Sequence, residues 1–202
     1  MVDLNNPTEL LEYCSYEQNE LAALSAGMIK YFDGTKPMKV KDICSKAVSY
    51  FMMDNPNINT MICEMDELAK ELTEVYVELL KDCAMLEQLK KMNAALYASL
   101  AEKNEVLRKW LQDTENGPAS DNALKQNLIM RLQGKISEVT LSLNISSQYD
   151  AQTVMLSSQY YDMAEKIQST ILSSIPLWKN QMVIELNSTK ETVLGNLRKI
   201  LA

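Results

Sequence analysis

A chain of 202 residues, 47% of them hydrophobic, carries enough apolar material for one domain or one domain with an elongated extension, and too much to remain disordered. Its 20 Lys+Arg against 27 Asp+Glu give a net charge of −7, which repels phosphate backbones and argues against a nucleic-acid partner. With no histidine at all, it lacks an imidazole general base, a Ser-His-Asp triad and an HExxH zinc site.

Only 5 Gly and 5 Pro punctuate the chain, so long helices are expected. The opening "MVDLNNPTELLEY" has an early acid and no apolar run of secretory type. No stretch approaches the ~20 apolar residues of a membrane span. The four cysteines, Cys14, Cys44, Cys63 and Cys83, form no CxxC pair and sit among apolar neighbours. They read as buried, reduced thiols, which implies a reducing cytoplasm and no metal site.

Pro7 to Lys30 reads as a first helix, with Thr8 as N-cap and Leu10, Leu11, Leu21 and Leu24 at helical spacing. The turn "YFDGTKP" separates it from a shorter helix, Val40 to Met53, with Ile43, Ala47, Val48 and Phe51 on one face. Residues 1–58 are thus expected to form an N-terminal helical module, closed by the Asn-rich "DNPNINT".

From Thr60 the apolar positions Met61, Met65, Leu68, Leu72, Val75 and Leu79 alternate by four and three, the spacing of a coiled-coil seam. The register slips near Asp82, then resumes through Cys83, Leu86, Leu89, Met92 and Leu96 toward Leu107 and Leu111. This predicts one helix of about 50 residues, roughly 75 Å long. A turn near 113–122, "DTENGPASDN", leads into a second long helix whose stripe is Leu124, Leu128, Leu132, Ile136, Val139 and Leu143. The polar stretch Ser146–Gln159 follows, before Tyr161, Ala164, Ile167 and Ile171 resume the pattern.

A short turn makes the two long helices antiparallel. If Leu111 faces Leu124, Thr60 faces Ile175. Pro176 then falls where the second helix outruns the first, and a break or kink is expected there. The organisation expected is all-α: a module over 1–58, a long antiparallel, coiled-coil-like helical hairpin over 59–175, and a C-terminal helix over 176–202 packed near the module. The exposed seam of so long a hairpin favours a homo-oligomer.

No residue pattern points to catalysis. No serine has a recognisable base beside it, and no glycine-rich phosphate loop exists for a nucleotide. The acids of "EMDELAKELTE" (Glu64–Glu74) are interleaved with Lys70 and read as a solvated face. The lysines of "KPMKVKDICSK" (Lys36–Lys46) hold a weak signal for an anion or an acidic partner. The 13 methionines read as core filling, not soft-metal ligands. What stands out is Pro176, Leu177, Trp178, Lys179, Asn180 and Gln181, where a proline and one of only two tryptophans are followed by a polar triplet. Packing accounts for Pro176 and Trp178; the triplet Lys179, Asn180 and Gln181 is the candidate contact surface.

The segment "EKIQSTILSSIPLWKNQMVIEL" (Glu165–Leu186) resembles the signature of the TelA, or toxic-anion (tellurite) resistance, family. The match runs through Lys166, Ile167 and Gln168, and then Ile175 to Gln181. Weaker similarity extends over "MKVKDICSKAVSYF" and "NEVLRKWL". The resemblance implies an all-helical cytoplasmic protein linked to tellurite tolerance and related stress, with no catalytic residues to carry over and no cofactor. Family members continue past the point where this chain stops, so a truncated or compact member is expected. The function expected is non-enzymatic resistance through protein contacts. The alternative is a coiled-coil adaptor or scaffold, of phage origin, with no role toward anions.

Overall fold

A computed structural model describes residues 6–31, 35–51, 57–117 and 122–184. These are all-α, as expected: α1 (Pro7–Glu12), α2 (Ser15–Ile29), α3 (Thr35–Phe51), α4 (Ile58–Asn116) and α5 (Asn122–Ser169). A five-residue π-turn, Thr170–Ser174, follows α5, and residues 175–184 are again α-helical. Among the described residues no helix is long and apolar enough to cross a membrane. The expected C-terminal helix lies outside the described residues beyond position 184, as does Met53 at the end of the expected second helix.

The chain forms two compact units that do not follow chain order. One combines Met1–Asp33 with Ala84–Ser157, the other Gly34–Cys83 with Ser158–Ala202.

In the first unit, what reads as one helix from Pro7 to Lys30 is two. Cys14 stands between them in the left-handed region, at φ 70°. The N-cap is Asn6, not Thr8: its Oδ1 accepts the Thr8 N–H at 3.1 Å, satisfying one of the first-turn donors. The turn at Cys14 lets Leu10, Cys14 and Leu21 share one core with Leu100, Leu107, Leu132 and Val139, none more than 4% exposed. Burying each of these large side chains contributes about 1.5–3 kcal/mol, which offsets the ~1–2 kcal/mol of a left-handed non-glycine residue.

The register of α4 against α5 in this unit is set by a polar pair. Asn93 Nδ2 donates to the Ser146 carbonyl at 2.9 Å, and Ser146 Oγ donates to Asn93 Oδ1 at 2.8 Å. Stepping seven residues toward the turn on both helices gives Leu100 and Val139, then Leu107 and Leu132, all fully buried. The seam therefore takes Asn93 where the sequence suggests Met92, which is 51% exposed. The pairing is also displaced four residues from that of Leu111 with Leu124. The first turn of α5 caps α4 instead of packing on it: Lys125 Nζ donates to the carbonyls of Glu115 and Gly117 at 2.9 and 2.8 Å. Leu124 is left 69% exposed, while Leu111 and Leu128 pack against the core.

The second unit contains α3, the start of α4, the end of α5 and residues 175–184. Met61, Met65, Leu72, Val75 and Leu79 of the predicted seam are buried, with Ile43 from α3 and Ala164 and Ile167 from α5. Tyr160 is buried in place of Tyr161, which is 46% exposed.

Candidate interaction site

The signature segment belongs to the second unit. Pro176 has no N–H, and in a regular helix its ring collides with the carbonyl four residues back. The π-turn ends two residues before it: the Ile175 N–H donates to the Thr170 carbonyl, and α-helical pairing restarts at residue 175. Pro176 is thus second in a new helical run, where its missing donor costs nothing. Where the sequence suggests a break, the chain widens one turn and continues.

Residues 175–184 lie against α4. Ile175 and Met182 are 3% and 9% exposed, and Lys179 Nζ meets Asp66 Oδ1 at 2.5 Å. The polar triplet therefore divides. Lys179 is committed to an acid of α4, while Asn180 and Gln181 point outward. Trp178 is half-buried; Pro176 and Leu177 are exposed. Leu177, Asn180 and Ile184 recur by three and four on the outer face, and Leu172, Val183 and Ile184 add exposed apolar surface. Sequence reasoning missed Leu172, Val183, Ile184 and Asp66. Of the first three, Ile184 sits seven residues from Leu177, at plain helical spacing, while Leu172 and Val183 do not. Asp66 required knowing which part of α4 lies beside Lys179.

The lysines of α3 meet acids of α4 that lie beyond the Glu64–Glu74 cluster. Lys36 pairs with Asp82, and Lys39 Nζ lies 3.6 Å from Glu78 Oε1. The acidic partner of the α3 lysines is thus α4 of the same chain. Cys44 and Cys63 are exposed, against the expectation that all four thiols are buried; Cys14 and Cys83 are buried. Cys44 follows Ile43, the residue of α3 that faces inward, and Cys63 falls between the buried seam positions Met61 and Met65.

The strongest electrostatics lie in the first unit. Glu17 Oε1 accepts from Lys103 Nζ at 2.6 Å and from Ser99 Oγ at 2.9 Å. Burial pushes the Glu17 carboxyl up, but the hydrogen bonds from Lys103 and Ser99 outweigh it and hold it below the usual carboxylate range. Burial likewise opposes the Lys103 charge, and the bond to Glu17 more than restores it, leaving the ammonium above its ordinary value. Lys103 also lies over the Tyr13 ring, 5.5 Å from its centre. Burial raises the Cys14 thiol to about 11. Lys135 donates to the Leu11 carbonyl at 3.0 Å, closing the end of α1. These groups are spent on docking α1 and α2. Among the described residues no group of three or more Cys, Asp and Glu side chains is placed to hold a metal ion.

Comparison with known proteins places these features in context. The family model described as toxic anion resistance protein (TelA) matches residues 57–194. TelA-like proteins of Staphylococcus aureus strains USA300 and COL are each 31% identical over 172 residues, covering 77% of this chain and 46% of the relative. The TelA-like protein of strain Mu50 is 30% identical over the same length. The chain thus spans less than half the length of these relatives. No solved structure matches.

Proposed function

Because the chain belongs to the TelA toxic anion resistance family, we propose that it supports tolerance of tellurite or related toxic anions without catalysis, through protein contacts made by Pro176–Gln181. The observation that carries this is the outward face of residues 175–184. Leu177 is 56% and Ile184 66% exposed, on a helical run anchored by Ile175, Met182 and the Lys179–Asp66 pair. An apolar stripe on an immobilised helix, bordered by Asn180 and Gln181, suits docking of another protein. Lys179 and Trp178 act from behind, holding the stripe in place. Two exposed free thiols, Cys44 and Cys63, fit work in a reducing compartment such as the cytoplasm.

The test is complementation of tellurite tolerance in a sensitive host with Leu177→Asp and Trp178→Ala variants, each checked for unchanged helicity. Leu177→Asp is expected to abolish tolerance while remaining folded. Full tolerance from that folded variant would remove the site assignment. If the unmodified chain confers no tolerance but still captures the same partner with and without tellurite, the protein is an adaptor.

A further inference from the structure

We propose that the cavity between α3, α4 and α5 in the second unit binds a small, neutral, apolar or aromatic molecule. Its volume is about 560 Å³, inside the ~300–1,000 Å³ range of ligand sites. The floor is apolar and well fixed: Leu72, Tyr160 and Ile167 are each 3% exposed or less. Val40 and Cys44 of α3 and Met163 of α5 also line it.

The space exists because of how α3 is held. Its fastenings to α4 include the ion pairs of Lys36 and Lys39 along one edge and the buried Ile43. None of these fills the side of α3 that looks toward α5. The two charged groups at the rim on α5 are Asp162 and Lys166, one helical turn apart. Their opposite charges cancel at the mouth, and every other group lining the cavity is uncharged. An anion would gain Lys166 and meet Asp162 at once, and a cation the reverse. An uncharged guest meets neither penalty and gains the apolar floor.

Two further observations converge here. Lys166 and Ile167, through which the resemblance to the family signature runs, both line the cavity, so this half of the signature serves a different surface from the outward face of 176–184. Thr170, the first residue of the π-turn, also lines it. π-turns recur at functional positions because the widened turn offsets the residues beyond it.

The experiment uses the full chain and two fluorophores sharing one aromatic frame: neutral phenylnaphthylamine and anionic anilinonaphthalene sulfonate. Cys44 on the wall and Cys63, exposed and not lining the cavity, supply an internal control through maleimide labelling resolved by peptide mass spectrometry. Phenylnaphthylamine at ten times its Kd is expected to slow Cys44 labelling about tenfold and leave Cys63 unchanged. Val40→Trp, which fills the cavity, is expected to remove probe binding. Equal Kd values for the two fluorophores, or an unchanged Cys44 rate with saturating neutral probe, would overturn the proposal. Should Val40→Trp fail to fold, Cys44 protection in the unmodified chain still decides. Protection that rises with protein concentration and not with probe would assign the cavity to a second copy of the chain instead.

Discussion

Replacing Lys103 by Met strands a carboxylate. The Glu17 side chain is 8% exposed and takes two hydrogen bonds, from Lys103 at 2.6 Å and Ser99 at 2.9 Å. Removing one partner of a buried ion pair costs about 3–5 kcal/mol. The Lys103 side chain is 32% exposed, so water reaches the site once the amine is gone; with the Ser99 bond retained, the expected loss is about 2 kcal/mol. Glu17→Gln alone should cost about 1 kcal/mol, and the double variant little more, because a neutral amide does not need the ammonium. Urea unfolding in a Trp178→Phe background reports on this unit through Trp110, whose ring centre is 5.2 Å from that of Tyr13.

The pH dependence fixes the sign. Glu17 is held low, so its contribution is present above the ordinary carboxylate value of ~4.3 and is lost as pH falls through its folded value. Lys103 is held high, so its contribution is present below ~10.4 and is lost as pH rises through its folded value. The gap between the unmodified chain and Lys103→Met should be widest from about pH 5 to 10 and narrow in acid, where protonation relieves the stranded carboxylate. A gap that stays constant from neutrality to below pH 4, or strictly additive single and double variants, would refute the account.

Three other outcomes follow from the geometry. Ser146→Ala leaves Asn93 Oδ1 buried without its donor and should cost about 1–2 kcal/mol by urea unfolding, most of it recovered by adding Asn93→Leu. In the native protein Cys44 and Cys63 should react with a disulfide reagent at pH 8; Cys83 and Cys14, the latter raised to about 11, should react only on unfolding. Deleting Ser174 together with Pro176→Ala removes the one residue that the π-turn adds and the ring that an α-helix would exclude, so residues 175–184 should keep their faces. Ile175 and Met182 should stay buried, Lys179 beside Asp66, and Trp178 fluorescence unchanged; a shift to the red would show that the π-turn does not set the face.

The fold was legible because the seam of α4 and the stripe of α5 are written in large apolar residues at helical spacing. Met61 to Leu79 and Leu128 to Val139 needed nothing else. The register was not legible, because it is fixed by the small polar pair Asn93 and Ser146, which periodicity counts as outward-facing. The turn chemistry was hidden for a related reason: Lys125 reads as an ordinary surface lysine until the end of α4 is beside it. The division of the first helix was invisible since Cys14 carries no preference for positive φ, and only the tertiary gain of burying Leu10 with Leu100 and Leu107 places it there. At the candidate site, the prominence of Pro176 and Trp178 is what singles out the segment in the sequence. The residues that stand outermost are plain leucine, valine and isoleucine, whose exposure is a property of the assembled helices.

The π-turn explains why one short signature serves two surfaces. Upstream of it, Lys166, Ile167 and Thr170 border the cavity beneath α3. Downstream, Ile175 and Met182 turn inward and Leu177 and Ile184 outward. A five-residue turn adds one residue where an α-helix would have none, so the downstream faces are offset by about one-quarter of a turn from their α-helical continuation. Proline two residues after the turn makes this arrangement the lower in energy, because restoring α-helical pairing would drive its ring into the Leu172 carbonyl and leave that carbonyl without a donor. The cost of the wide turn is local, while the cost of removing it includes the burial of Ile175 and Met182. The proline is therefore less a stop signal than the reason the phase shift is stable. Occupation of the cavity and docking on the outer face consequently meet at a single structural element, whose register both would have to respect.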